Sequence, residues 1–234
     1  MTQAGAVIDR VVTERGELVL RRCGGHFEIV SNGVFLMDTR AGTSERLLVR
    51  RALDLVRPGA RVLIGGLGVG FSLAEAAAST VPAEIVVLEI EETLIGWHRD
   101  RLAAYSGNAL RDARVRVVNQ DLLAWLGTTD EVFDAICLDI DNGPDWTVFQ
   151  HNAALYDADG TALLRDRLAD DGVLAVWSAS AAPAYAARLA TVIGPVTAYP
   201  VEVPRGEPDV VYLARRGPVG AGLRQLRASP GAGP

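Results

Sequence analysis

Lysine is missing from this 234-residue sequence: all 23 of its basic residues are arginine. Read as function, the bias would mean many bidentate contacts to carboxylates or phosphates. The arginines are scattered, however, and coding bias from a GC-rich genome accounts for them. They build no continuous electropositive face, and the net charge is −6, so neither nucleic acid nor an anionic membrane is an expected partner. Cysteine is nearly as scarce. Cys23 and Cys137 stand too far apart for metal-ligand spacing and suit one buried and one partly exposed thiol in a reducing compartment; no metal is expected. No apolar run approaches the roughly 20 residues that a bilayer requires. The opening MTQAGAVIDR lacks the basic head, apolar middle and small-residue cleavage site of a secretory signal, so the expected location is the cytoplasm. What is present, 49% apolar and 22% charged residues, is the balance of a globular chain with one substantial core and room for a small appended sheet.

Residues 6 to 37 offer short extended runs, AVIDRVVT, ELVLRRC, HFEIVSN and GVFLMD, separated by Arg15-Gly16, Gly24-Gly25 and Asn32-Gly33. An Asn-Gly pair between β-prone runs is a strong hairpin signal, and the region reads as a small antiparallel meander. Ser44 then precedes ERLLVRRALDLV, whose apolar residues recur at helical spacing until Pro58 and Gly59. From there strands and helices alternate. RVLIG, EIVVLEI, VRVVNQ, VFDAICLDI and GVLAVWSA read as strands, with FSLAEAAAST, EETLIGWHRDRLAAY, DLLAWL and TALLRDRLAD as helical segments between them. Strands apolar on both faces belong inside a parallel sheet. After the helix PAYAARLATVIG, VTAYPVEV and DVVYLARR flank a connection too short for a parallel return, so they pair antiparallel. The expected fold is α/β: a doubly wound, mostly parallel sheet of seven strands in the order of class I methyltransferases, preceded by the meander. The expected divisions are a meander over 1–42, a Rossmann-like nucleotide-binding domain over 43–215 and a disordered Gly/Pro/Ala/Arg-rich tail over 216–234.

The first strand of the alternating region runs into Gly65-Gly66-Leu67-Gly68-Val69-Gly70 ahead of a helix. Glycines there permit a sharp turn and close approach of a ligand to backbone N–H groups, or serve only as a tight corner. Glu89 closes the second strand 19 residues beyond Gly70, where a carboxylate can accept from both ribose hydroxyls or stand on the surface. Glu91 and Glu92 suit the first turn of the next helix. Asp121, ending the third strand, can accept from an adenine amino group or cap DLLAWL. The fourth strand ends LDIDNGPDW, which puts Asp139 and Asp141 on one face of the sheet if the chain is still extended. Aspartates closing an apolar strand at the ligand-bearing edge are expensive for packing alone. Trp146, Phe149, His151 and Tyr156 can wall a substrate pocket or cover the following helix. His26 and His98 read as solvated or structural.

From about Gly16 to Ser178 these residues resemble the polyamine aminopropyltransferases, the spermidine synthase family, a branch of the class I methyltransferase fold. RVLIGGLGVG, VVLEIEETLIGWHRDRL, VRVVNQDLLAWL, FDAICLDIDNGP and ALYDADGTALLRDRLADDGVLAVWSA carry the likeness. It implies that Gly66, Gly68 and Gly70 shape the nucleotide turn, Glu89 holds the ribose, Asp121 lies at the adenine, and Asp139, with Asp141 able to share the task, is catalytic. Departures accompany it. Val69 stands where the family's turn carries an aspartate for the donor's amine, Phe71 replaces the turn's last glycine, Asp-Ser-Thr-Asp-Pro is shortened to Asp139-Ile140-Asp141-Asn142-Gly143-Pro144, and Tyr-Gln-Glu becomes Thr43-Ser44-Glu45. The family's long carboxyl-terminal segment has little counterpart. The implied function is aminopropyl transfer from decarboxylated S-adenosylmethionine to a small amine. The alternatives are methyl transfer from S-adenosylmethionine to a small molecule, and a non-catalytic nucleotide-binding or dimerising module. The meander has edge strands that a homodimer could pair.

Overall fold

A computed structural model describes residues 5–147, 149–204 and 206–217. Four antiparallel strands open the chain: β1 (Ala6–Thr13), β2 (Gly16–Cys23), β3 (His26–Ser31) and β4 (Val34–Asp38), paired in sequence order. Asn32 and Gly33 both take positive φ, 50° and 80°, the two left-handed positions that a tight turn between twisted strands requires. Helix α1 (Thr43–Leu53) leads into the main sheet.

That sheet contains β5 (Ala60–Gly65), β6 (Pro82–Leu88), β7 (Val115–Val118), β8 (Phe133–Leu138), β9 (Leu168–Ser178), β10 (Val196–Val201) and β11 (Asp209–Arg215), in spatial order β10-β11-β9-β8-β5-β6-β7. The first five are parallel; β11 inserts antiparallel between β9 and β10. Between them run α2 (Phe71–Ala78), α3 (Glu92–Trp97), α4 (Leu122–Thr128), α5 (Ala153–Tyr156), α6 (Ala158–Asp166) and α7 (Pro183–Val192). Val, Ile and Leu of the central strands are buried on both faces. One face packs Leu63, Ile136 and Leu174 under α4, α6 and α7, and the other packs Val62, Ile64 and Val87 under α1 and α2. The expected α/β architecture, with its parallel core, terminal antiparallel hairpin and small meander, is the one observed. Of the expected tail, residues 218–234 lie outside the described residues.

Strand order reverses at β5 and β8, neighbours in space whose chains leave in opposite directions, and the crevice beyond their carboxyl ends is where such sheets bind ligands. The meander roofs that crevice. Leu18, Leu20 and Ile29 pack on Val69, Phe71, Trp97 and Leu102. Each fully buried aliphatic side chain there contributes about 1.5–3 kcal/mol, so the roof is fastened by its own core.

Two local expectations need correction. The helix expected over EETLIGWHRDRLAAY is α only from Glu92 to Trp97; Leu102 N–H returns to the Trp97 carbonyl at 2.8 Å, ending the helix and delivering Leu102 into the core beneath the meander. The fourth strand stops at Leu138, so Asp139 and Asp141 lie on a bend, and the premise of one extended face fails.

Candidate active site

The glycine turn is held from behind. Gly66 takes φ +90°, and a Cβ there would lie 2.1 Å from the Asp139 carbonyl oxygen; at Gly70, with φ +92°, it would meet the His98 ring and Ser106 at 2.7 Å. Both corners where the chain doubles back are therefore closed to any side chain. His98 is buried, with Nε2 2.9 Å from the Gly68 carbonyl; burial lowers its pKa, which keeps the ring neutral and structural. Gly68 faces the opening, where a Cβ would have only Met37 of the roof as neighbour, at 3.4 Å.

Glu89 is 7% exposed and thus no surface carboxylate. One oxygen accepts the Leu67 N–H at 3.0 Å and the other accepts the Glu91 N–H at 2.8 Å. Burial pushes its pKa up against these two bonds. Glu91 occupies the N-cap position of α3 but makes no capping bond; it pairs instead with Arg15 of the β1–β2 turn at 2.6 Å, and Arg15 also donates to the Ile90 carbonyl at 2.8 Å. A ligand beside Glu89 is thus walled by a clamp between roof and sheet. Asp121 caps α4: its Oδ1 accepts the Ala124 N–H at 2.8 Å, while Oδ2 stands 3.6 Å from His151 Nε2. Glu89, Gly66, Gly68, Asp121 and Asp139 all line one pocket with Arg15, Ile140, Phe149 and His151, whereas Gly70 shapes the turn from outside it.

A second pocket adjoins the first, sharing Met37, Gly68, Asp139, Ile140 and Phe149 with it and adding Glu45, Val69, Phe71, Asp141 and Trp177. Its mouth opens past Phe35, Trp146, Glu207 and Asp209. Asp139 stands where the two meet. Its Oδ2 accepts from Ser72 Oγ at 2.7 Å, and desolvation, with Asp209's charge adding to it, raises its pKa to about 6. Asp141, 8% exposed, accepts from Asn152 Nδ2 at 2.8 Å and so ties the 149–152 segment over both pockets. Val69, 5% exposed, belongs to the apolar contact with the roof as well as to the pocket wall. Tyr156 is no pocket wall: it is buried edge-on against Tyr185, with ring centroids 5.4 Å apart. Trp146, 62% exposed, belongs to the mouth.

The match to known proteins is decided by a model of the spermine/spermidine synthase domain, which covers residues 45–189, more than half of the chain. The chain belongs to the spermine/spermidine synthase family. Among curated relatives, polyamine aminopropyltransferase 2 of Ralstonia nicotianae is 26% identical over 185 residues, which are 78% of this chain and 35% of the relative. Polyamine aminopropyltransferase 1 of Streptomyces coelicolor is 30% identical over 181 residues, 74% of this chain and 33% of the relative. The chain therefore spans about a third of the length of these relatives. Among solved structures, a spermidine synthase in complex with the transition-state analogue AdoDATO superposes with a TM-score of 0.75 at 18% identity, covering 91% of this chain and 74% of that one. The Thermotoga maritima spermidine synthase gives 0.74 at 17%, with 91% and 73% covered. At such identities the structural likeness is one of fold.

Within this spermidine synthase family member, several pocket residues were not singled out from the sequence. Glu45 enters from the first turn of α1, Trp177 from the end of β9, Asp209 from the start of β11 and Arg15 from a meander turn, and Ser72 of α2 supports Asp139 from behind the wall. Glu45 alone had a signal, as the retained carboxylate of the altered Tyr-Gln-Glu run. The others join the site only through long-range packing.

Proposed function

We propose that the chain moves an aminopropyl-type alkyl group from decarboxylated S-adenosylmethionine to a small amine, with the nucleoside in the glycine-turn pocket and the amine in the adjoining one. The names of the curated relatives, polyamine aminopropyltransferases, support this reading. The observation that carries it is the place of Asp139. This carboxylate belongs to both pockets, and its companions on the acceptor side are carboxylates and aromatic rings; among the described residues lining that pocket and its mouth there is no arginine or histidine. Such a wall favours a cation.

In the proposed assignment Glu89 and the turn of Gly66, Gly68 and Gly70 take the ribose side, and Asp121 the adenine. Asp139 acts on the acceptor. Transfer from a sulfonium disperses the positive charge on sulfur, so a carboxylate aimed at sulfur would hold the ground state more tightly than the transition state. Aimed at the amine, it orients the lone pair and receives the proton that nitrogen loses, a role worth about 10²–10⁴-fold. A pKa raised to about 6 leaves Asp139 ionised at neutral pH and matches the task better than an ordinary aspartate. Asp141 supports Asp139 by fixing the loop.

One observation favours a second reading, methyl transfer from S-adenosylmethionine: Val69 offers apolar wall where the resemblance places an anchor for the donor's amine. Incubation with both donors and a panel of diamines, followed by mass spectrometry of the released nucleoside, separates the two. Methylthioadenosine is the expected product. S-adenosylhomocysteine would establish methyl transfer instead, and neither nucleoside with any amine would overturn both.

A further inference from the structure

Ser44, buried in the first turn of α1, is shared by two carboxylates. Its Oγ lies 2.6 Å from Asp209 Oδ2 and 3.0 Å from Glu45 Oε2. A hydroxyl has one proton to give, and an ionised carboxylate only accepts. Ser44 therefore cannot satisfy both groups if both are ionised. The arrangement closes when Ser44 donates to Asp209, the shorter contact, and a protonated Glu45 donates to Ser44. Ser72 Oγ poses the same question on the other side, 2.7 Å from Asp139 Oδ2 and 3.3 Å from the Glu45 carbonyl oxygen. The shorter contact gives its proton to Asp139, an arrangement that suits the ionised carboxylate.

The surroundings place the proton on Glu45 as well. Asp139 and Asp141 face it from the loop after β8, Asp209 from β11, and Glu207 stands at the mouth it also lines, together with Asp38, whose charge is paired with Arg40 at 2.6 Å. Arg46, its neighbour on α1, is turned to the Phe71 ring and to Glu75, 4.0 Å away. Desolvation and the charge of Asp139 push Glu45 up to about 7.

We propose that Glu45, Ser44 and Asp209 form a proton-carrying arm that connects Asp139, at the junction of the pockets, with the outer mouth. The proposal rests on the amine-transfer reading above. An acceptor entering as an ammonium gives one proton to Asp139; its nitrogen then bonds the donor carbon as the carbon–sulfur bond breaks, the electron pair going to sulfur. One proton is left on Asp139. It returns to solvent as Glu45 takes up the proton of Asp139 across the pocket that both line, the Glu45 proton moves to Ser44, that of Ser44 moves to Asp209, and Asp209 releases it at the mouth. No group is consumed, and Asp139 is restored as an anion.

Infrared spectroscopy of the full chain without substrate tests the arm independently of the reaction. A carboxylic-acid band is expected to persist to near neutral pH and titrate away at about 7, above the step of Asp139 at about 6. Glu45→Gln, whose amide can still donate to Ser44, should abolish the upper step and keep the lower. Asp209→Asn should move the upper step to lower pH, since Ser44 is then free to donate to Glu45; this variant decides the matter if the glutamine variant does not fold. In turnover, the pH profile of kcat/KM for the amine should lose its component near 7 in Glu45→Gln. No carboxylic-acid band above about pH 5, or an upper step unchanged in both variants, would overturn the arm. An intact spectroscopic step in a protein that transfers nothing would instead overturn the reaction reading.

Discussion

The two pockets that meet at Asp139 are built in opposite ways. On the nucleotide side the polar groups are committed to backbone: Glu89 to two N–H groups, Asp121 to the start of α4, His98 to the Gly68 carbonyl. These bonds fix the turn whether or not a ligand is present. On the acceptor side, Glu45, Asp139 and Asp209 come from three separate elements and are held by two serine hydroxyls, with the pKa values of Glu45 and Asp139 raised by burial and by a neighbouring charge, that of Asp139 on Glu45 and that of Asp209 on Asp139. On the proposed reading, one side is preorganised to bind and the other is placed to exchange protons. Burial raises the pKa of Glu89 as well, but its backbone N–H bonds oppose that rise, while the charges of Asp139 and Asp209 add to the rise at Glu45 and Asp139.

The sharpest way to break the contrast is at the junction. Asp139→Asn is nearly isosteric and can keep its contact with Ser72, so turnover is expected to fall by about a hundredfold or more, as loss of a general base implies. Nucleotide affinity, measured by calorimetry, should stay within about threefold, because Glu89 and the glycine turn do not depend on that charge. Full turnover in the variant would sink the assignment. Lost nucleotide binding in a folded variant would move Asp139 to the nucleotide side.

A smaller effect is expected at Glu89. Removing it with Glu89→Ala takes away an acceptor for a ligand and leaves the Leu67 and Glu91 N–H groups without their carboxylate, so donor affinity should weaken by about 1.5–3 kcal/mol. The comparison gains most from the acceptor side of the same variant: kcat at saturating donor should change far less than KM for donor. Unchanged donor affinity would show that Glu89 serves the turn alone.

The contrast also explains what could be read from the sequence. The nucleotide side is assembled from strand ends in one βαβ run, where a glycine turn, a carboxylate closing the next strand and an aspartate before a helix each sit at a position set by local geometry. The sheet order followed from the same alternation, because strands apolar on both faces leave few alternatives. The acceptor side had no comparable local signal. Asp209 belongs to a hairpin strand and meets Ser44, 165 residues earlier, only because β11 inserts beside β9 over α1. Asp139 and Asp141 read as one face of an extended strand, with Asp141 able to share the task of Asp139, yet the bend after Leu138 sends one to the junction and ties the other to Asn152. Glu91 read as a helix-start charge because the sequence cannot show that Arg15 arrives from the meander.

The smallest effect distinguishes tension from mere crowding and is read in stability rather than in rate. Glu45 has its pKa raised on folding, from 4.5 to about 7. Below its unfolded value both states carry the proton and the group contributes nothing to the difference. As pH rises through that value the unfolded chain releases its proton first, the native state still holding it, and native stability falls until the folded group ionises too near 7. Above that the full cost is in place. Glu45→Gln carries no such proton and keeps a donor for Ser44, so it should be more stable than the parent by about 1–2 kcal/mol at pH 8, less than the full shift would give because Asp139 shares the repulsion. At about pH 4 and below, the two proteins should melt together. For a chain of this size the difference at pH 8 corresponds to roughly 2–8 °C in Tm. Thermal unfolding at the two pH values checks it: a gain of equal size at both would mean that the introduced amide merely packs better, and no gain at pH 8 would show that the Glu45 carboxylate is comfortably solvated and the acceptor side under no tension at all.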